Sequence, residues 1–203
     1  TPTSSSAASD VYKRQNEALP FMGYKEAEFF GVPSRIFRIS FSGELAYEIN
    51  VKSDHGMFMW EKMMEVGKEF GNQPYGTEAL STLRIEMGHV AGPELDGRTI
   101  PSDVSLNGLV SKKKDFIGKN SLGREAFNVE SRQKIVGLIP IDRKSSIPEG
   151  SHIVQDQNAK LPNPKLGHVS SSCWSVENNN PFSLAIMKAV SYTHLTLPTN
   201  SWG

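Results

Sequence analysis

Two neighbouring stretches near the start of the chain show the two-residue period of β-strands. The first, residues 34–41, interleaves apolar side chains with Arg35 and Arg38. The second, residues 45–51, places four apolar side chains on one face: Leu45, Tyr47, Ile49 and Val51. The short, glycine-containing segment 42–44 between them is typical of a hairpin connection. The pattern therefore predicts a β-hairpin over residues 34–51.

Helical spacing replaces this alternation further along the chain. Apolar side chains at residues 54–70 recur at near-helical intervals, with Asp54 as a candidate N-cap and Gly71 as a candidate C-cap. The methionines and aromatics of this stripe are more typical of core packing than of a cofactor site. A second helix is predicted over residues 77–87, ended by Gly88. Two strands followed by two helices favour an α+β fold, with the helices packed on one face of a sheet.

The last part of the chain has a different pattern of short strands separated by turns. Strands are expected at residues 134–139, 152–155, 166–170 and 182–187, between clusters of proline, glycine and asparagine. This spacing is typical of a small β-barrel or sandwich. We therefore divide the chain into a first domain over residues 16–130 and a carboxy-terminal β-barrel over residues 131–189.

The two ends do not fit either domain. Residues 10–15 (DVYKRQ) can be encoded by GAT GTG TAT AAG AGA CAG, whose reverse complement, read in a shifted frame, encodes residues 190–194 (VSYTH). Unrelated disordered tails have no reason to be related in this way. We therefore expect residues 1–15 and 190–203 to be translated library adapter, set aside before the fold is considered.

Composition narrows the class of protein. The chain has 203 residues with 22 basic and 22 acidic side chains, which gives no reason to expect nucleic acid or an anionic membrane as a partner. Its single cysteine, Cys173, excludes an internal disulfide and a cysteine-based zinc site. No apolar run approaches the roughly 20 residues that span a bilayer. These features predict a soluble, cytoplasmic protein.

Catalytic and metal-binding motifs are not found in the sequence. There is no GxSxG elbow, P-loop, complete GxGxxG fingerprint or HExxH helix. The histidines are scattered singly, without a second ligand three or four residues away, and Cys173 would be a nucleophile only if a distant histidine reached it. We therefore predict no catalytic residue and no metal site within this chain.

The segment from Phe41 to Glu48 contains the most informative local chemistry. Phe41 and Tyr47 offer aromatic surface close to the Glu48 carboxylate. A carboxylate beside aromatics suits a flat heterocycle with two adjacent N–H donors, because it accepts two parallel hydrogen bonds. The residues alone favour a solvent-facing glutamate on the polar side of a strand over such a binding site. The basic run Lys112–Lys114 is likewise more typical of a solvated surface than of an anion site.

Five blocks of the sequence resemble one known family, that of the aminomethyltransferases (the glycine-cleavage T-proteins). The blocks are RISFSGELAYEINV (38–51), PYGTEALSTLRIEMG (74–88), KKKDFIGKNSL (112–122), PEG (148–150) and GHVSSSCWS (167–175). Together the likeness covers nearly all of residues 18–189. Within the family, the blocks most resemble the large (alpha) subunits of heterotetrameric sarcosine oxidases.

The resemblance implies a fold and a binding site. It implies an aminomethyltransferase-like folate-binding domain followed by a small carboxy-terminal β-barrel. Phe41, at a position that is tyrosine in many members, would pack on the pterin ring of tetrahydrofolate, and Glu48, which closes the Tyr47–Glu48 pair, would bind the amino and ring N–H edge. Leu80 occupies the position where the glycine-cleavage enzymes carry a folate-contacting arginine, which argues against that enzyme.

The resemblance also implies an activity for a larger assembly. In such an oxidoreductase a flavin in another subunit oxidises sarcosine to an imine, and tetrahydrofolate takes up the one-carbon unit as 5,10-methylenetetrahydrofolate. FAD, FMN and NAD belong to the complete enzyme, and their binding regions would precede residue 16. The expected partners are the other subunits and folate, and this piece alone is expected to be inactive. Aminomethyltransferase, dimethylglycine dehydrogenase and a non-catalytic folate-binding module remain the alternatives.

Overall fold

The computed structural model describes residues 18–156 and 158–189. The two ends predicted to be translated adapter, residues 1–15 and 190–203, lie outside these described residues. The chain divides into two compact units, residues 1–77 and 78–203, which are described separately below. The division between residues 130 and 131 separates two domains predicted from the sequence pattern, and it stays a prediction.

A three-stranded antiparallel sheet forms the first part of the first unit. Its strands are β1 (Tyr24–Phe29), β2 (Val32–Phe37) and β3 (Glu48–Asn50), in the order β1-β2-β3. A two-residue turn joins β1 to β2, and both of its residues, Phe30 and Gly31, have positive φ angles of 53° and 78°. Two successive positive φ angles match the right-handed twist of a hairpin, so this turn sets the β1–β2 register.

The predicted hairpin over residues 34–51 is shorter than expected. β2 ends at Phe37 and β3 begins at Glu48, so the connection spans residues 38–47. After Phe37, the backbone of Arg38 pairs with the segment before β1: its N–H donates to Gly23 O at 3.0 Å and its carbonyl accepts from Met22 N at 2.9 Å. These bonds extend β2 toward the segment before β1, a strand that the sequence analysis missed.

The first predicted helix is confirmed in extent. Helix α1 (Gly56–Gly67) is flanked by single 3-10 turns at Ser53–His55 and Lys68–Phe70. Gly71 ends the segment in the left-handed conformation, with φ of 68°, as a C-terminal glycine does. The N-cap prediction was wrong, because Asp54 lies inside the first 3-10 turn and its side chain caps neither segment.

The second predicted helix, α2 (Thr77–Glu86), is also confirmed, and all of it after Thr77 belongs to the second unit. Gly88 follows it with φ of 73°. Irregular chain with short helical turns comes next: 3-10 turns at Gly92–Glu94, Pro101–Val104, Asn107–Leu109 and Glu125–Phe127, and a one-turn helix α3 at Lys119–Leu122. Among the described residues, no helix combines the length and apolar character needed to cross a membrane.

A four-stranded antiparallel sheet completes the second unit. Its strands are β4 (Gln133–Leu138), β5 (His152–Val154), β6 (Lys165–Ser175) and β7 (Asn180–Lys188). They lie in the order β4-β7-β6-β5. Their residue ranges agree closely with those of the four predicted strands, although β6 is longer than predicted. In the described part of the chain β4 and β5 are the sheet's edges, so the four strands do not close on one another and the barrel stays a prediction.

One hydrophobic cluster of the second unit lies on one face of this sheet, and β7 also buries Leu184 and Ile186 on the other face. Four side chains of the cluster are almost completely buried: Val136, Val169, Ala185 and Met187. Leu138, Ile147 and Ile153 pack around them. Both sheets are antiparallel, and the helices form a separate run between them along the chain, as the α+β class predicts.

Candidate functional site

A row of three side chains crosses the sheet of the first unit. Tyr24 pairs with Phe37, and Phe37 pairs in turn with Glu48. Residues directly opposite each other in antiparallel strands share a face, with their Cβ atoms about 5 Å apart. The Tyr24 and Phe37 rings stack with centroids 5.6 Å apart and an angle of 26° between their planes. The row therefore places a carboxylate beside an aromatic pair.

This row is open to solvent. Tyr24 is 65% exposed, and Glu48, the first residue of β3, is also exposed. A flat ring can therefore reach the aromatic pair and a hydrogen-bonding edge can reach the carboxylate without displacing core residues. The arrangement is chemically suited to a flat, partly polar ring that carries N–H donors along one edge.

The three residues singled out in the sequence occupy one continuous part of the first unit. Phe41 and Tyr47 lie on the segment 38–47 that connects β2 to β3, and each is 41% exposed. Glu48 follows Tyr47 directly, at the start of β3. All three side chains are thus accessible, and their role in binding stays a prediction.

Sequence reasoning missed Tyr24 and Phe37 as members of this site. Phe37 was interpreted only as part of a strand, and Tyr24 was not assigned to an element. The signal that could have found them is the Phe30–Gly31 turn, because a two-residue turn between runs of equal length fixes which residues face each other. Counting outward from that turn pairs Tyr24 with Phe37.

A buried ionic network lies in the second unit. Arg84 of α2 donates from Nη1 to Glu94 Oε2 at 2.8 Å and from Nη2 to Ser171 Oγ at 2.7 Å, and Ser171 donates in turn to Glu94 Oε1 at 2.6 Å. The Ala91 N–H donates to Glu94 Oε2 at 2.9 Å. The side chains of Arg84 and Glu94 are 5% and 0% exposed. The network joins α2, the turn at Gly92–Glu94 and β6.

The charge state of Glu94 reflects this environment. Burial raises the pKa of the Glu94 carboxyl, but the hydrogen bonds from Ser171, Ala91 N–H and Ser170, with the charge of Arg84, outweigh it. The pKa of Glu94 is therefore below its ordinary value of 4.5. An ionised, fully hydrogen-bonded carboxylate of this kind is suited to holding elements together rather than to transferring protons.

A second buried pair lies near the start of β4. Arg132 Nε donates to Asp103 Oδ1 at 2.8 Å, Arg132 Nη2 also bonds to Asp103 Oδ2, and the Asp103 side chain is 0% exposed. The hydrogen bond to Asp103 raises the pKa of Arg132 above its ordinary value. The Arg132 guanidinium also lies over the Phe127 ring, 5.3 Å from its centroid. This pair fixes the turn at residues 101–104 against the sheet.

Cys173 and the basic run lie in different environments, the first partly buried and the second exposed. Burial, with a contribution from the charge of Glu86, raises the pKa of the Cys173 thiol to about 11, which keeps the nucleophilic thiolate rare near neutral pH. Within the described ranges, no group of three or more His, Cys, Asp or Glu side chains is placed to hold a metal ion. Residues 112–114 are exposed, and the Ser111 Oγ accepts the N–H groups of Lys113 and Lys114.

Comparisons with known proteins agree with the sequence blocks. Residues 2–114 match the GCVT N-terminal domain family. The chain is 40% identical over 174 residues to the sarcosine oxidase subunit alpha of Rhizobium meliloti (strain 1021), covering 84% of this chain and 18% of that protein. It is 40% identical over 177 residues to the subunit of the same name from Corynebacterium sp. (strain P-1), covering 85% and 18%.

A solved structure shows the same fold. The glycine cleavage system aminomethyltransferase T from Bartonella henselae superposes with a TM-score of 0.70 and 23% identity, over 86% of this chain and 46% of that one. The chain therefore spans under half of that neighbour and about a fifth of the two curated relatives.

Proposed function

Because the chain belongs to the GCVT N-terminal domain family, we propose that its first compact unit binds tetrahydrofolate within a sarcosine oxidase alpha subunit. The observation that supports this most directly is the row of Tyr24, Phe37 and Glu48. The choice of sarcosine oxidase over aminomethyltransferase follows the 40% identity to the former and the Leu80 substitution.

The residues of the row fit the pterin ring of folate. The Glu48 carboxylate has two oxygens that can accept the amino and ring N–H groups along one edge of a pterin. The Tyr24–Phe37 pair presents a flat apolar surface beside those oxygens, on which the ring can stack. Phe41 and Tyr47 would add further aromatic contact from the preceding segment. When bound, tetrahydrofolate supplies the nitrogen atoms that take up a one-carbon unit.

The task of this chain in the enzyme is thus to hold the acceptor. Glu48 orients the pterin by its N–H edge, and the aromatic side chains shield one face of the ring from water. Tetrahydrofolate held in this way would accept the one-carbon unit of oxidised sarcosine, giving 5,10-methylenetetrahydrofolate with glycine as the other product. FAD, FMN and NAD sites, and the other subunits, belong to the rest of the proposed enzyme.

Titration calorimetry of the chain with tetrahydrofolate tests the binding step. Glu48→Gln removes the charge but keeps the shape, and charge-assisted hydrogen bonds contribute about 1.5–3 kcal/mol. The dissociation constant should therefore rise roughly 10- to 100-fold. Glu28→Gln is the matched control, since Glu28 is an exposed carboxylate on β1 of the same sheet. Equal weakening by both substitutions, or by neither, would contradict the assignment.

A chimeric alpha subunit tests whether the chain supports the proposed sarcosine oxidase activity. Residues 18–189 replace the matching stretch of the Rhizobium meliloti subunit, assembled with that organism's other subunits. We expect sarcosine-dependent hydrogen peroxide, with the one-carbon unit recovered on tetrahydrofolate. Glu48→Gln in the chimera should keep peroxide formation but release the unit as formaldehyde, because an uncaptured imine hydrolyses. If tetrahydrofolate binds but peroxide is not formed, the chain is an aminomethyltransferase or dimethylglycine dehydrogenase piece, or a non-catalytic folate-binding module.

A further inference from the structure

The even-numbered side chains of β2 and the segment after it form a buried face. Val32, Ser34 and Arg38 are 5%, 6% and 7% exposed, as the two-residue period of an extended chain requires. Ser34 Oγ donates to Val32 O at 2.9 Å and is satisfied. After the end of β2, the Arg38 Nε and the Ser40 Oγ are both buried and have no hydrogen-bond partner among the described residues. Two polar groups two residues apart are therefore unsatisfied.

Arg38 differs from two other arginines of the described residues, the buried Arg84 and the half-buried Arg132. Arg84 faces the fully buried carboxylate of Glu94, and Arg132 faces that of Asp103. Arg38 has one side-chain hydrogen bond, from Nη1 to Leu19 O at 3.1 Å, and none of the ion pairs formed in the described ranges includes it. A buried guanidinium is costly without an opposite charge, and this chain supplies one in the other two cases.

The geometry of the unsatisfied groups selects the missing partner. The Nη1 contact with Leu19 leaves the edge formed by Nε and Nη2, and two parallel N–H groups on that edge match the two oxygens of a carboxylate. Ser40 Oγ–H, two residues further along the chain, is a second buried donor without a partner among the described residues. We propose that Arg38 and Ser40 form a carboxylate-binding site in the first unit.

This site is separate from the proposed pterin contact. Phe37 lies opposite Glu48, and successive residues of a strand point to opposite faces, so Arg38 and Glu48 lie on opposite faces of the sheet. The carboxylate therefore belongs either to a small-molecule ligand other than the pterin held at Glu48 or to an Asp or Glu side chain of additional polypeptide. Both sources present the same chemistry to Arg38.

Nitrogen-15 NMR of the Arg38 Nε–H group tests the site in the chain itself. The signal is assigned by its loss in Arg38→Lys, and the probe is sodium acetate against sodium chloride at equal ionic strength. We expect acetate, but not chloride, to shift the signal saturably. Ser40→Ala should weaken the binding of acetate roughly 3- to 10-fold, because one hydrogen bond is lost. Ser34→Ala, on the same face but already bonded to Val32, should leave the affinity unchanged.

The chimeric subunit described above identifies the source of the carboxylate. A signal already at its acetate-bound position, and no longer responsive to acetate, assigns the carboxylate to the protein. A signal that still titrates with acetate or p-aminobenzoylglutamate assigns it to a ligand. The proposal is overturned if acetate and chloride act alike on the chain and the chimera's signal stays at the unbound position. Because Glu48→Gln does not touch Arg38, tetrahydrofolate binding and acetate binding can fail independently.

Discussion

Replacing Glu94 by glutamine should remove much of the stability of the second unit. Glu94 accepts three hydrogen bonds, from Arg84, Ser171 and Ala91, and all three arrive as donors. A glutamine amide can keep its oxygen toward Arg84 and Ala91, but its NH2 group then faces Ser171 Oγ, so the Ser171 hydroxyl loses its acceptor and must accept instead. The Arg84 guanidinium, 5% exposed, would also lose its opposite charge.

The magnitude follows from the burial of both partners. Breaking a buried ion pair by removing one member costs about 3–5 kcal/mol, whereas whole domains are stable by only about 5–15 kcal/mol. Both charges can be removed together by apolar residues of similar volume, as in Arg84→Met with Glu94→Leu. This double variant should lose less stability than the sum of the two single changes, because it leaves no buried charge unpaired. Non-additivity is thus part of the prediction.

Urea unfolding followed by Trp174 fluorescence measures the effect. Trp174 lies in β6, and replacing Trp60 and Trp202 by phenylalanine leaves it as the chain's single tryptophan. The matched control is Asp96→Asn, which breaks the solvent-exposed Asp96–Arg98 pair and should leave the midpoint unchanged within error. If Glu94→Gln shifts the midpoint no more than this control, the network does not stabilise the unit.

The pH dependence gives a second readout of the same network. The pKa of Glu94 is lower in the folded chain than its ordinary value of 4.5, so the unfolded chain binds the proton more tightly. This contribution to stability is complete above pH 4.5 and is lost as the pH falls from 4.5 through the folded pKa. Glu94→Gln should lack this loss, so the difference between the two proteins should narrow in acid.

Two further substitutions probe the second unit. Gly167→Ala would place a Cβ 2.4 Å from Ile186 O, so we expect a loss of about 1–3 kcal/mol in urea unfolding, whereas Gly97→Ala, with no atom within 4 Å, should have little effect. Wild-type Cys173, with a pKa of about 11, should react slowly with iodoacetamide at pH 8, and Glu86→Gln should speed the reaction by removing a charge that raises this pKa. A fast reaction in the wild-type protein, or no acceleration in the variant, would contradict the environment assigned to the thiol.

The helices could be predicted because their signals are local. The apolar spacing over residues 54–70 and the glycines at 71 and 88 specify where helical segments end, and both glycines have the positive φ that such ends require. The prediction of Asp54 as the N-cap failed because the start of α1 has no equally distinct local signal. A 3-10 turn precedes α1 and includes Asp54, and sequence alone does not separate such a turn from the first turn of an α-helix.

β1 could not be predicted with the same method because its pattern is weak. Tyr24, Glu26 and Glu28 form one face of the strand and all are exposed, while the other face has only Ala27 and Phe29 as apolar residues. The strand forms because it pairs with β2 through a tight turn, which is a tertiary cause. Of the three residues in the row, the sequence therefore identified only Glu48 as a binding residue, and it missed Tyr24 and Phe37.

The two units differ in how their buried charges are satisfied. In the second unit, Arg84 and Arg132 are each neutralised by a carboxylate that is distant in sequence but present in the described chain. In the first unit, Arg38 is buried to a similar degree with one carbonyl as its side-chain acceptor. The second unit therefore supplies the carboxylates that pair with its own arginines, and its stability should depend on its own residues. If Arg38 binds a carboxylate as proposed, the stability of the first unit should depend on what it binds.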